Sequence, residues 1–340
     1  MLTAELIDHI LATIPDRTVG VLGDLFLDRY LDIDPALNEP SVETGLTAYQ
    51  VTRVRNYPGA AGTVMNNLAA LGVGRIYPIT AIGDDGEGYD LRQALRALPA
   101  VHHGGIVNAP GRRTPTYTKP MLGAEELNRL DIKNRTPTPE GTEDFLIELL
   151  DEAWPQLDAL LVLDQVSEED CGVVTRRVRE HLAMLAGGDP AKFVMADSRE
   201  RIGLFRNVCV KPNLDEMYAT FVTEFGSVLR GSHRAHVAEL AKKLQESIFC
   251  TAGGDGILLS ERGQDTHIIP TYPVSGPIDI CGAGDSCSAG IACAMISGLT
   301  HEQAAAFGNL VASITIQQIG VTGTATPEQV RARWREVNTT

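Results

Sequence analysis

Residues 279–286 read Asp-Ile-Cys-Gly-Ala-Gly-Asp-Ser and stand at the start of an apolar run with helical spacing. Gly282 and Gly284 leave backbone N–H groups at the mouth of that helix open to an anion, and the helix end adds a partial positive charge. Asp285 falls in the first turn. A carboxylate facing a bound hydroxyl there can accept its proton while the turn holds a transferring phosphoryl group. The stretch therefore indicates either a phosphoryl-transfer site or a capped helix start whose glycines allow close packing.

Upstream of this stretch, short β-like runs alternate with amphipathic helical runs. The predicted strands are 18–23, 75–82, 158–163, 193–196, 207–210, 247–251 and 256–259. The predicted helices are 62–71, 87–98, 168–185, 214–225, 237–246 and most of 283–319. This alternation predicts an α/β fold with a central, mostly parallel sheet covered on both faces. Ligands of such sheets gather at strand carboxyl ends and helix N-termini.

Two regions, 32–56 and 104–132, interrupt the alternation. They contain short alternating segments, 114–122 and 127–132, and lack the long helices that a crossover needs. They predict a small antiparallel β lid inserted into a single domain of residues 1–340. The alternative is two ordinary surface excursions. Because a small sheet is marginal alone, we expect the lid either to pair with a second copy as a homodimer or to close over substrate.

Composition limits the classes of partner. The 340 residues are 44% hydrophobic and carry a formal net charge of −15, and no apolar run reaches the ~18 residues of a membrane span. Such a surface repels nucleic acid and anionic lipid, so neither is an expected partner, whereas a small anionic ligand in a local pocket is not excluded. The six cysteines form no C-x-x-C, which favours buried free thiols in a reducing compartment. The first basic residue is Arg17, so we expect no secretory signal and a cytoplasmic location.

Two further motifs lie in the second half of the chain. Residues 211–216 read KPNLDE, where Asn213 and Glu216 match an N-cap and its partner three residues on. The same two side chains share a helix face and could position hydrated Mg²⁺ near phosphates. Residues 251–256 read TAGGDG and indicate either a backbone contact with a nucleotide or a tight turn between strands. Neither a Walker motif nor a dinucleotide-binding fingerprint follows the first strand.

Polar groups also follow the first strand. Asp24 and Asp28 lie where side chains can bind sugar hydroxyls, and residues 58–63 (PGAAGT) open a helix that carries Asn66 and Asn67 one turn in. A solvated loop and a glycine-rich helix entry are the alternatives. The eight histidines are scattered without metal-ligand spacing, so no metal or triad role is assigned to them.

In this order, the motifs resemble the ribokinase (PfkB) family of carbohydrate kinases over nearly the whole chain. The resemblance implies a ribokinase-like three-layer sandwich with a small β lid, and ATP and Mg²⁺ as cofactors. Within the family, 23–30, 58–72, 128–131 and 197–199 are most similar to the kinases that phosphorylate heptose 7-phosphate at its anomeric hydroxyl. Those kinases carry a basic residue two positions after Lys119, where this chain has Met121.

The resemblance also implies roles by position. Asp285 would be the general base, and the anion hole would be Gly282, Ala283 and Gly284. Mg²⁺ and phosphates would be organised by Asn213 and Glu216. A monovalent cation such as K⁺ would lie beside Asp279. The nucleotide would be lined by Thr251, Gly253, Gly256 and Asn309. The sugar would be bound by Asp24, Asp28, Gly59, Thr63, Asn67, Lys119 and Arg129.

These roles predict an ATP-dependent kinase of a sugar or sugar phosphate. A phosphorylated acceptor needs cations, and the candidates in or beside the lid segments are Arg53, Arg55, Arg112, Arg113, Lys119 and Arg129. A merely solvated basic face is the alternative. Two rival functions stay open: a nucleoside or other small-alcohol kinase of the same fold, and a catalytically silent ligand-binding member.

Overall fold

The computed structural model describes residues 1–226, 231–262 and 264–338, and the element bounds below apply to this part of the chain. The α-helices are α1 Ala4–Thr13, α2 Ala61–Leu71, α3 Gly86–Arg96, α4 Glu140–Ala153, α5 Arg176–Gly188, α6 Leu214–Thr223, α7 His233–Leu244, α8 Ala283–Ile296, α9 His301–Thr315 and α10 Pro327–Asn338. The first eight strands are β1 Thr18–Gly23, β2 Leu25–Ile33, β3 Glu39–Pro40, β4 Thr47–Ala48, β5 Val51–Ala60, β6 Arg75–Ile82, β7 Ile106–Asn108 and β8 Thr116–Leu122. They are followed by β9 Glu125–Glu126, β10 Leu130–Ile132, β11 Ala159–Asp164, β12 Phe193–Ser198, β13 Cys209–Val210, β14 Ile248–Thr251, β15 Ile257–Ser260 and β16 His267–Ile269.

The central sheet has the strand order β16-β15-β14-β13-β12-β11-β1-β6-β7. All strands from β7 to β14 in that order pair in parallel, and only β15 and β16 pair antiparallel. The mostly parallel sheet predicted from the alternation is therefore confirmed. β1 shows why: Val19 and Val21 lie on one face and Leu22 on the other, yet all three are buried, because both faces are covered.

Two apolar clusters sandwich this sheet. One contains side chains of α1, α2, α3, α8, α9 and α10, and the other contains side chains of α4, α5, α6 and α7. The result is the expected three-layer arrangement of helices, sheet and helices. None of the helices in the described ranges has the length and apolar character required to cross a bilayer.

A second, smaller sheet forms the lid, with the order β10-β8-β2-β5 and with β9 paired to β8. It begins at Leu25 and continues through Ala60, so it is wider than the predicted segment 32–56. Its β2 and β8 pair in parallel, so the lid is not wholly antiparallel. The start of the predicted segment 104–132 lies elsewhere, because β7 pairs with β6 at the edge of the central sheet.

The helices differ from prediction in two informative places. The helix predicted from residue 168 begins only at Arg176, because the preceding loop donates the N–H groups of Gln165, Val166 and Val173 to the buried carboxylate of Asp24. The long helical run predicted over 283–319 is two helices, since α9 starts a new capping box at Thr300. Helices α1, α4 and α10 were absent from the prediction.

Candidate active site

A cleft of about 900 Å³ lies beyond the carboxyl ends of β12, β13 and β14 and at the N-terminus of α8. Its volume is in the range of small-molecule sites. Ten of the predicted site residues line it. They are Asn213, Glu216, Thr251, Gly253, Gly256, Gly282, Ala283, Gly284, Asp285 and Asn309.

Asp285 stands in the first turn of α8, behind a backbone turn that only glycine accommodates. Gly282 has φ +76°, and a Cβ there would lie 2.5 Å from Cγ2 of Thr322 and 3.5 Å from Cγ2 of Thr63. The Asp285 side chain is partly buried, and burial together with the charge of Asp197 raises its pKa to about 7 from an ordinary 3.8. A carboxyl group with such a pKa can take up a proton near neutral pH.

Three further charged residues share this cleft: Asp197, Arg199 and Lys211. Lys211 is buried, and its Nζ lies 2.7 Å from Oδ2 of Asp197. Arg199 is exposed and donates from Nε to Oε1 of Gln165 at 2.8 Å. Both cations act against the raised pKa of Asp285. The sequence analysis gave none of the three a role, although Asp197 directly follows the predicted strand 193–196 and strand carboxyl ends are where ligands gather.

Asn213 and Glu216 form a complete capping box at the start of α6. The Glu216 N–H donates to Oδ1 of Asn213 at 2.9 Å, and the Asn213 N–H donates to Oε2 of Glu216 at 2.8 Å. The capping interpretation is therefore confirmed. Burial and the neighbouring Asp197 raise the pKa of Glu216 to about 7. Crowded carboxylates of this kind fit a hydrated Mg²⁺, because a divalent cation would relieve their mutual repulsion.

The opposite wall of the cleft depends on Gly256 and Asn309. Gly256 has φ +93°, and a Cβ there would collide with the carbonyl oxygen of Ile269. The buried Asn309 donates from Nδ2 to the carbonyl oxygens of Ile269 and Pro270 at 3.0 and 3.1 Å. Both residues therefore fix the segment that follows β16, which runs along the cleft.

Asp279 connects two loops beside the turn of Gly282, Ala283 and Gly284, which is predicted to bind an anion and is called the anion-binding turn below. Its Oδ1 accepts from the N–H of Cys281 at 3.0 Å, and its Oδ2 accepts from the N–H of Gly320 at 3.0 Å. Cys281 is exposed, so the prediction of uniformly buried thiols is wrong for this residue. The described residues contain no cluster of three or more His, Cys, Asp or Glu side chains arranged to hold a metal ion.

A smaller cavity of about 90 Å³ lies under the lid. Asp28 and Thr63, which were both predicted to bind sugar, line it beside Tyr30 and Tyr57. Gly59 is needed next to them, because a Cβ there would collide with the Asp28 carboxylate. Burial raises the pKa of Asp28. Because Thr63 also faces Gly282, this cavity adjoins the anion-binding turn.

Four predicted sugar ligands are not among the residues that line this cavity: Asp24, Asn67, Lys119 and Arg129. Asp24 is buried, and three backbone N–H groups occupy its carboxylate: those of Gln165, Val166 and Val173. Asn67 is also fully buried, and its Nδ2 donates to the carbonyl oxygen of Thr63 at 3.0 Å. Asn66 lines the cavity instead. The side chains of Asp24 and Asn67 are therefore hydrogen-bonded to backbone groups and lie away from the cavity.

Most cations near the lid already have partners. Arg129 chelates Asp131 with two hydrogen bonds of 2.7 and 2.9 Å, Arg55 pairs with Asp32, and Arg113 pairs with Asp85 and Glu87. Arg112 donates to the carbonyl oxygens of Thr136 and Cys171.

Lys119 differs from these arginines. It is partly buried and donates to the hydroxyl of Tyr30 at 3.2 Å, and no carboxylate in the described ranges lies within 4 Å of its Nζ. Burial alone would lower the pKa of Lys119, but Tyr30, Asp28 and Glu126 raise it, so the ammonium stays charged.

Aromatic rings surround Asp28, a feature that the sequence analysis missed. Tyr57 and Tyr117 are its cross-strand neighbours on β5 and β8. Phe26 packs edge-on against Tyr117 at 5.3 Å, and Tyr30 packs edge-on against Tyr57 at 5.7 Å. The signal was hidden because the strands that bring these rings together are far apart in sequence.

The model of the pfkB family of carbohydrate kinases matches residues 26–329, which include the cleft, the lid and the anion-binding turn. The chain belongs to this family. The members that this family model describes are carbohydrate kinases. Curated relatives include the bifunctional protein HldE of Caulobacter vibrioides, 29% identical over 92% of this chain, and that of Caulobacter sp. K31, 30% identical over 92%. The chain spans 62% and 63% of their lengths.

Solved structures of other proteins with a similar fold confirm the fold of this pfkB family member. The ribokinase of Thermotoga maritima superposes with a TM-score of 0.68 at 19% identity, covering 94% of this chain and 99% of the other. Phosphofructokinase-2 of Escherichia coli, solved in complex with potassium, gives 0.70 at 17% identity, covering 95% and 99%. The ribokinase-like fold expected from the motifs is therefore confirmed.

Proposed function

We propose that this pfkB family kinase transfers a phosphoryl group from ATP to a hydroxyl of a sugar or sugar phosphate, with a heptose 7-phosphate-like acceptor as the leading candidate. The observation that carries the proposal is the place of Asp285. It stands at the anion-binding turn with a pKa of about 7, in the large cleft and next to the cavity that Asp28 lines. A base placed between a cleft large enough for a nucleotide and a polar cavity can assist phosphoryl transfer from a nucleotide in the cleft to an acceptor in the cavity.

In this proposal the nucleotide occupies the cleft. Its phosphates lie at the backbone N–H groups of Gly282, Ala283 and Gly284, and its base lies between 251–256 and Asn309. Asp285 takes the proton of the acceptor hydroxyl as oxygen attacks phosphorus. Mg²⁺, held through water near Asn213 and Glu216, would supply positive charge to the phosphate oxygens. A monovalent cation would sit by the loops that Asp279 connects.

The acceptor occupies the cavity under the lid. Asp28 binds sugar hydroxyls there, with Thr63 and the backbone at Gly59 as neighbours. If the acceptor carries a phosphate, Lys119 is the cation that supports its binding best, because Arg55, Arg113 and Arg129 already pair with carboxylates. Burying a phosphate without a cation would be costly.

Chain 1–340 is proposed to act as one domain with its lid, and as a homodimer. The lid strands expose the apolar side chains of Val51, Val54, Tyr57 and Leu130. The lid of a second copy could pack against these side chains and bury them. The free cysteines fit a reducing compartment such as the cytoplasm.

The decisive experiment measures ATP consumption with a panel of acceptors: heptose 7-phosphates, hexose phosphates, free sugars and nucleosides. We expect turnover with a sugar or sugar phosphate, and its loss in Asp285→Asn. A preference for nucleosides would show instead that the chain is a nucleoside kinase of the same fold. Binding of ATP and sugar without turnover, under every condition with Mg²⁺, would support a silent ligand-binding member instead.

A further inference from the structure

A third cavity, of about 50 Å³, lies between the lid strand β8 and the loop that follows β11. It shares Gln165 and Arg199 with the large cleft, so the two spaces adjoin, but it shares no lining residue with the cavity that Asp28 lines. A space of this size holds a few water molecules or one small ion and is too small for a sugar. The proposed reaction therefore leaves this cavity without a ligand.

Four cations line the cavity, and three of them lack an ion-pair partner. Arg113 pairs with two carboxylates near the start of α3. In the described part of the chain, no carboxylate oxygen lies within 4 Å of the side-chain nitrogens of Arg112, Lys133 or Arg199. The protein has a formal net charge of −15, so carboxylates are plentiful elsewhere. Three unpaired cations around one cavity are therefore a local feature that composition does not explain.

Two carboxylates also line the cavity, but neither neutralises these three cations. Glu168 pairs with Arg135 at 3.6 Å. Asp24 is buried and accepts hydrogen bonds from three backbone N–H groups. Its charge acts on Arg112, yet the two side chains form no ion pair. The cavity therefore keeps an excess of positive charge.

The guanidinium of Arg112 is fixed at the wall of the cavity. Its Nη1 donates to the carbonyl oxygen of Thr136 at 3.1 Å, and its Nη2 donates to the carbonyl oxygen of Cys171. Carbonyl oxygens orient the group without neutralising its charge. Burial lowers the pKa of Arg112, because the charge is partly removed from water. A fixed, half-buried guanidinium without a counter-charge is preorganised for an anion, and its planar donors match two oxygens of a phosphate.

Lys133 and Arg199 reach the cavity from two other elements. Lys133 directly follows β10, and its Nζ lies 5.9 Å from the centre of the Tyr117 ring. Arg199 directly follows β12 and donates from Nε to Oε1 of Gln165 at 2.8 Å, and its charge also acts on Tyr117. Both cations are exposed, so an ion can enter from solvent. Positive charges from the lid, from the end of β12 and from the loop before β8 thus meet at one small space.

We propose that this cavity is a binding site for a small oxyanion such as inorganic phosphate, held between Arg112, Lys133 and Arg199. The site is separate from the cavity proposed for the acceptor, since Asp28 and Lys119 do not line it. Because it adjoins the large cleft through Gln165 and Arg199, a bound ion is placed to act as an effector of whatever reaction the cleft carries out.

Isothermal titration calorimetry with inorganic phosphate tests the proposal. The protein is first saturated with Mg²⁺ and a non-hydrolysable ATP analogue, so that the phosphates of the nucleotide cover the anion-binding turn. We expect one phosphate ion to bind, and Lys133→Met and Arg112→Met each to weaken its binding about 10–100-fold, as the loss of one charged hydrogen bond does. Lys242→Met is the matched control, because Lys242 is an exposed lysine of α7 outside this cavity, and it should change the affinity less than about 3-fold.

Absence of phosphate binding up to about 10 mM would overturn the proposal, as would an unchanged affinity in Lys133→Met and Arg112→Met. Competition between inorganic phosphate and a sugar phosphate would also overturn it, because the cavity would then hold the charged end of the acceptor.

The two variants protect the test against misfolding. Arg112→Met loses two hydrogen bonds to carbonyl oxygens, whereas Lys133 is exposed, so Lys133→Met decides the question even if Arg112→Met does not fold. The titration needs no turnover. Failure of the proposed function, seen as no turnover with any acceptor, would therefore leave the result for this cavity intact.

Discussion

Asp285→Asn should make the protein more stable and nearly inactive at the same pH. The change keeps the size of the side chain and removes its ability to take a proton. General-base catalysis typically supplies about 10²–10⁴-fold, so we expect a fall of kcat of that order with nucleotide affinity little changed. The stability gain follows from the environment of the carboxyl group, which burial and Asp197 make unfavourable for a negative charge.

The size and sign of the gain come from the pKa of Asp285. Burial and the charge of Asp197 raise this pKa from 3.8 to about 7 in the folded protein, so the folded state holds a proton between these pH values that the unfolded state releases. The free energy of unfolding from this group therefore falls as pH rises from about 4 to about 7. The full shift corresponds to about 4 kcal/mol, an upper limit because the side chain is partly exposed.

The assay is urea unfolding of both proteins at pH 4 and pH 8, together with steady-state turnover at pH 8. We expect Asp285→Asn to be about 2–4 kcal/mol more stable at pH 8, with little difference at pH 4, where both states carry the proton. Glu302→Gln is the matched control, since Glu302 is an exposed acid in the first turn of α9. It should lose about 0.3–1 kcal/mol of helix-dipole stabilisation and no activity.

A loss of stability at pH 8 in Asp285→Asn, similar to that of the control, would refute this reasoning. The carboxylate would then be an ordinary acid at a helix N-terminus, where its charged form is stabilised. Near-normal turnover in the same variant would remove Asp285 as the base, whatever its effect on stability.

Three further predictions address the acceptor, the metal and the lid. Lys119→Ala should raise KM about 10-fold or more for a phosphorylated acceptor but not for ATP, since one charged hydrogen bond is worth about 1.5–3 kcal/mol; an unchanged KM, or an uncharged best acceptor, would end the comparison with heptose phosphate kinases. Glu216→Gln preserves the capping box and should raise the free Mg²⁺ needed for half-maximal rate about 10-fold, and an unshifted Mg²⁺ titration would leave Glu216 with capping alone. Sedimentation should show a dimer that Val54→Glu, a charge on the exposed lid strand, dissociates; a monomer at every concentration would leave the lid only the role of closing over substrate.

The predicted elements were most accurate where burial alone determines them. The bounds of β1 and β6 match the prediction, because these strands are almost continuous apolar runs covered on both faces. The start of the lid was wrong because β2 carries Asp28 and Arg29, and this polar pattern was interpreted as a turn after β1. Arg29 instead pairs with Glu87 and Asp90 on α3, a partner that local sequence does not reveal.

In the candidate site, the positions that backbone geometry requires could be predicted. Gly282 and Gly256 adopt positive φ with no room for a Cβ, so the motifs that contain them had to be glycine-rich. The Lys211–Asp197 pair could not be predicted, because it depends on β13 lying beside β12 in one particular register. Asp24 shows the opposite case: it lies at a strand end like a ligand-binding residue, yet its carboxylate accepts hydrogen bonds from three backbone N–H groups of a distant loop, which local sequence does not reveal.

The nucleotide cleft at the start of α8 and the acceptor cavity under the lid therefore differ in which groups contact the ligand. In the proposed function, the phosphate site uses backbone N–H groups and a helix end, which do not depend on the acceptor, so this part of the site would define the reaction and not the substrate. The acceptor half relies on side chains that the lid brings together from β2, β5 and β8. Three of the six candidate cations, Arg55, Arg113 and Arg129, pair with carboxylates of the lid or of the first turn of α3, so their attraction for an anion is weakened. In the proposed function, the affinity for a phosphorylated acceptor would therefore depend chiefly on the charge of Lys119, in a protein whose formal net charge is −15. We therefore expect Lys119, beside Asp28, to decide whether the acceptor carries a phosphate, and the glycine motif at 282–284 to leave that choice open.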